Sequence, residues 1–125
     1  MKTSIYSQHY DHTQWLNALA FYKDELAIMQ KRNAEVASKN TSKEVLQMVE
    51  HFQNQFIVQK NNIDVLSSHI KKDEKVIEAN INHNPIAVDH RKTEDHTSER
   101  NEMASFEKNF EELRAEFKGF LFKWM

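Results

Sequence analysis

The chain has 125 residues, 39% of them hydrophobic, and carries a net charge of −2. Seventeen basic against nineteen acidic residues form no basic face able to neutralise a run of phosphates, so nucleic acid is not an expected partner. One glycine, one proline and no cysteine exclude glycine-rich phosphate loops and dinucleotide folds, count against sheets, and rule out disulfides and thiolate chemistry.

Residues 1–6 are expected to form a loose tail, as chain termini often do. The first predicted helix spans about residues 8–39 and is marked by Trp15, Leu19, Tyr22, Leu26, Met29 and Val36, in alternating steps of four and three with Asn33 in the remaining slot. Extended backwards, the steps pass through His12 and Gln8, so the stripe turns polar toward its N-terminal end, where Ser4 or Ser7 could cap it. Thr41 and Glu44, directly ahead of Val45, have the form of a capping box and predict a tight hairpin into a second helix over about residues 42–81. Its seam is Val45, Val49, Phe52, Phe56, Gln59, Ile63, Leu66, Ile70, Asp73 and Ile77. Asn82, His83, Asn84 and Pro85 form the second break, with Asn84 as N-cap and Pro85 at the first helical position, where its missing N–H costs nothing. The third helix, about residues 85–124, carries Met103, Phe106, Phe110, Leu113, Phe117, Phe120 and Trp124; backwards it meets Glu99, His96 and Lys92.

Two short connections make neighbouring helices run antiparallel. The predicted fold is therefore all-α, an up-down-up three-helix bundle with coiled-coil-like heptad packing, in one domain over residues 7–125. Gln59 falls level with Tyr22 and Phe106 and is expected to take the phenol hydroxyl as a partner. Asn33 is expected to fix register toward the opposite end.

Folding the helices back on one another brings six of the seven histidines to one end: His9, His12, His69, His83, His90 and His96, with His51 apart. Counting from the turns places His12 beside His69 and Ile70, and Ile70 near His96, within about one turn. His69 and Asp73 are four apart and His96 and Glu99 three apart, so each pair shares a helix face. His12, His69, Asp73, His96 and Glu99 thus make a candidate metal set, because neutral imidazoles and carboxylates ligate divalent transition metals and carboxylates also orient the rings. A plain structural reading stands beside it: a hydrated bundle end whose acids and imidazoles satisfy one another. Converging imidazoles disfavour one another's protonation, whereas neighbouring carboxylates favour it.

No nucleophile sits in a recognisable base-and-acid motif, and a thin rod offers grooves in place of a cleft. Neither an enzyme nor a cofactor is expected, a divalent transition metal at the histidine end being the alternative. Off the seams, Phe21 and Ile28 lie seven apart on the first helix, and Val58 and Val65 seven apart on the second beside Ile57. Such strips predict self-association, with a homodimer as the expected state and another protein as the other possible occupant. The expected function is that of a structural or adaptor module working through protein–protein contacts; the alternative is a metal-binding or pH-responsive bundle. No run of eighteen apolar residues occurs and the opening MKTSIYSQHYDHTQW has no apolar stretch suited to a signal peptide, so no membrane contact and a cytoplasmic location are expected.

Overall fold

The apolar residues spaced three and four apart wind into three long stripes, each on its own helix. The structure is a computed structural model that describes residues 5–81 and 85–125, with side chains described for residues 6–79 and 96–125. Its helices are α1 (Ile5–Lys39), α2 (Lys43–Ile81) and α3 (Pro85–Trp124), and no strand occurs among the described residues. The chain is an all-α three-helix bundle.

The boundaries depart from the sequence expectation at two places. Helix α1 begins at Ile5, so residues 5 and 6 are helical and Ser7 lies inside the helix instead of capping it. Gln8 is buried, which means the stripe still has packing to make in the first turns. Helix α2 begins at Lys43, with Ser42 and not Thr41 ahead of it, and the Leu46 N–H donates to the Ser42 carbonyl at 3.0 Å. Residues 1–4 and the break at Asn82, His83 and Asn84 lie outside the described residues.

Pairings along the rod give the directions. His12 meets Glu74, Lys23 meets Asp64 and Asn33 meets Val49, so α1 and α2 run in opposite senses. Asp11 meets Arg100 and Glu25 meets Arg114, so α1 and α3 run in the same sense. The Arg114 guanidinium grips Glu25 with two donors and lies over the rings of Tyr22 and Phe110, at 5.9 and 5.2 Å from their centroids, fixing planar orientation as well as charge.

Inside, Leu19, Leu26, Phe56, Ile63, Ile70, Phe110 and Phe117 are almost wholly removed from water. Trp15, Tyr22 and Trp124, taken from the sequence as seam residues, are only partly buried. Asn33 spans two helices as expected, its amide donating to the Val49 carbonyl at 2.9 Å. Gln59 does not pair with Tyr22: the phenol donates to Glu107 at 3.3 Å, and Gln59 Oε1 is buried without a partner. A carboxylate is the stronger acceptor, and Glu107 sits next to Phe106, whose ring already meets Tyr22 edge-on at 5.6 Å. Over the described residues, no helix is long and apolar enough to cross a membrane.

Candidate cation site

Beyond Leu19, Ile70 and Met103 polar residues enter the seams, beside Trp15 on α1 and the buried Ile77 on α2. His12 on α1, Asp73 on α2 and His96 and Glu99 on α3 occupy positions that apolar residues hold elsewhere along the rod. His12, His96 and Glu99 are only 1, 3 and 6% exposed. Groups this deep are costly unless hydrogen bonds or charges compensate them.

The compensation is one-sided. A carboxylate can only accept, so the ring nitrogen facing it must carry the proton. His12 Nδ1–H donates to Glu74 Oε1 at 2.8 Å, and the other Glu74 oxygen accepts from His9 Nδ1–H. His96 Nε2–H donates to Asp11 Oδ2 at 2.9 Å, and Asp11 also holds Arg100 at 3.2 Å. In the neutral rings the remaining nitrogens, His12 Nε2 and His96 Nδ1, are therefore bare lone pairs. Both are buried without a hydrogen-bond partner. Glu99 Oε2 stands 3.5 Å from His12 Nε2, and both Glu99 oxygens are likewise buried and unpartnered. Each such atom costs about 1–3 kcal/mol. The two imidazole centroids are 5.4 Å apart, and Trp15 stacks on His96 at 4.9 Å, closing the cluster on its inner side.

Charge is shared unevenly among these groups. Burial, helped by the neighbouring Asp73, pushes the Glu99 carboxyl up to about 7 against the pull of His12. Burial is also the largest influence on His12 and lowers it, but Glu99 and Glu74 together outweigh it, so His12 is raised above 6.5. His96 moves below 6.5, chiefly through burial and with His12 adding to it, while Asp11 opposes. The two rings thus diverge, with the carboxylates prevailing at His12 and burial at His96.

Of the five residues singled out from the sequence, His12, His96 and Glu99 form the buried cluster and Asp73 adjoins Glu99. His69 is exposed on α2, at the mouth of a pocket of about 310 Å³ lined also by Asp73, Glu99 and Glu102, with Lys72 and Ser98. Wider hollows of about 560 and 660 Å³ follow the α1/α2 and α2/α3 grooves, and neither is lined by Asp73 or Glu99. Two ring-orienting acids, Asp11 and Glu74, lie one position off the seams and were missed. His83 and His90 lie outside the described side chains.

Among the described residues, the set that brings three ligand atoms within 4.8 Å of one another is His9, Glu74 and Glu78, and the inner cluster does not converge that closely. It differs from the inner cluster in that His9 and Glu78 are exposed and both Glu74 oxygens already accept imidazole protons. No ion is needed to satisfy it. Comparison of the chain with protein-family models, with curated proteins and with solved structures finds no match.

Proposed function

We propose that the polar end of the bundle is a cation-binding site and that the protein works by taking up a metal cation there. The supporting observation is a pair of buried atoms, His12 Nε2 and Glu99 Oε2, that stand 3.5 Å apart with no hydrogen bond of good geometry joining them. A cation would satisfy both, and Glu99 also lines a surface pocket with His69, Asp73 and Glu102. Glu74 and Asp11 play the part that outer carboxylates play around metal-ligating histidines, fixing which ring nitrogen is bare.

An ion bound only by the folded chain raises its stability, and one bound to deprotonated imidazole and carboxylate loses its hold in acid. At about pH 7.5, excess divalent metal should raise the melting temperature by several degrees over that in chelator. At about pH 5 the two conditions should give the same value. A melting temperature indifferent to ions and chelator at both pH values contradicts the proposal.

A second reading, self-association into a homodimer, is supported by the exposure of Phe21, Ile28, Ile57, Val58 and Val65. Apolar pairs seven apart form strips that a second copy could cover. Sedimentation equilibrium should then give a dimer for the wild type and a monomer for the Phe21→Glu, Val58→Glu double variant. A wild-type monomer at high concentration ends this reading.

A further inference from the structure

The exposed strips that support self-association leave open which face a second copy covers and in which direction it runs. Resting on that second reading, we infer that the dimer forms about a two-fold axis at Asn62, each copy laying its α2 antiparallel along the groove between α2 and α3 of the other.

Four of the exposed apolar side chains of α2 fall on one stripe. Met48, Val58, Val65 and Val76 are joined through Asn62 by steps of three and four, each lying one position ahead of a residue of the packed face. From Asn62 the stripe reads nearly alike in both directions. Reversed on itself, it sets Val58 against Val65 and Met48 against Val76 twice over, and Asn62 against its own copy, where each amide offers both a donor and an acceptor.

Charge favours the same arrangement. The other members of the stripe, His51, Gln55, His69 and Lys72, include no acid. A parallel pair would stack Lys72 on Lys72, whereas the antiparallel one sends the two lysines to opposite ends and draws each toward Glu50 of the second copy.

A seat for the second helix lies beside the stripe. The hollow of about 660 Å³ in the α2/α3 groove has Asn62 and Val65 on one wall, Leu66 and Phe106 in its floor, and the short Ser98 and Ser105 on the α3 side, where a neighbouring helix can come close. The strip on α1 is less suited. Between Phe21 and Ile28 stands Glu25, gripped by Arg114, and one turn on Arg32 pairs with Glu35, so a copy seated there would strip water from four charges.

The chain has no cysteine, which lets single cysteines report on the contact. In the full chain, held in chelator so that no metal joins the copies, Asn62→Cys should give a disulfide-linked dimer on mild oxidation and the exposed Lys60→Cys, off the stripe, should not. Val58→Cys and Val65→Cys should each stay unlinked alone and link when mixed. Sedimentation equilibrium should show a wild-type dimer that Val58→Glu, Val65→Glu weakens by at least about a hundredfold, since four carboxylates then meet near the axis, and that Phe21→Glu, Ile28→Glu leaves unchanged. Melting curves confirm that each variant is folded, and the cysteine pairs carry the test if the glutamate variant is not.

If Phe21→Glu, Ile28→Glu abolishes the dimer while Val58→Glu, Val65→Glu keeps it, the inference is overturned and self-association survives. The same holds if Val58→Cys and Val65→Cys link alone but not with each other. A wild-type monomer at high concentration removes both.

Discussion

Phe56→Ala should destabilise the folded chain by about 3–5 kcal/mol, the usual cost of truncating a fully buried phenylalanine. Phe56 is wholly buried and meets Phe117 edge-on at 4.9 Å and 87°, while Phe52 packs within 6.2 Å on its other side. Phe52 in turn touches Phe120 at 5.0 Å, so the cavity would open inside a layer of four rings. Rings held this way also lose edge-to-face attraction beyond their buried area. Against a total stability of roughly 5–15 kcal/mol, the loss should move the urea midpoint far toward zero with little change in the slope. A loss below about 1 kcal/mol would mean that α2 and α3 do not pack as described.

The second large effect lies at the other end of the rod, in the metal-free chain. Glu99 ionises near 4.5 when unfolded and near 7 when folded, so between these values the folded state holds the extra proton. Stability conferred by that proton is complete below about pH 4.5 and is lost as pH rises through 7; the full difference corresponds to about 3 kcal/mol. His12 adds in the same sense: its raised folded pKa gives stability below 6.5 that disappears as pH rises through the folded value. His96 acts oppositely, because its lowered folded pKa costs stability as pH falls below 6.5. Asp73 and Lys72 from α2, Asp11 and Glu74 through the rings, and Arg100 on α3 complete the charged surroundings. Glu99→Gln keeps the shape and removes the ionisation. In chelator at about pH 8 it should therefore be more stable than the wild type by up to about 3 kcal/mol, and the gap should close toward pH 5. Equal pH dependence in the two proteins would show that Glu99 does not ionise from a buried position.

Much of this was legible in the residues, and the reasons differ from part to part. The stripe Leu19, Leu26, Met29 and Val36 has the helical period over many turns, and nothing but a packed helix face uses such a pattern. The break at Pro85 and the hairpin at residues 40–42 follow from the scarcity of turn residues anywhere else. Carrying the seams backwards sufficed to find His12, His96 and Glu99, which hold seam positions and are buried there, whereas the seam residues Trp15, Tyr22, Asp73 and Trp124 are only partly buried. His69 fell one position off its seam, beside Ile70, and so points to solvent. Asp11 and Glu74 were missed because they flank the seams, where charges are ordinarily solvated. A signal for Asp11 did exist: acids at 11 and 25 and arginines at 100 and 114 are each fourteen apart, two heptads, and they pair as Asp11 with Arg100 and Glu25 with Arg114. Glu74 had no such echo, and without it the rise in the His12 pKa could not be foreseen. The partner of Tyr22 was unreadable for a related reason, since choosing Glu107 over Gln59 depends on side-chain reach and not on period.

The most direct test of a cation site at the polar end is anomalous X-ray scattering from crystals grown with Zn²⁺. A single strong peak should lie about 2.0–2.2 Å from both His12 Nε2 and a Glu99 oxygen, with Glu74 still hydrogen-bonded to His12 Nδ1. Peaks confined to exposed side chains such as His9 and Glu78, or an ordered His12–Glu99 pair with no ion between them, would contradict it.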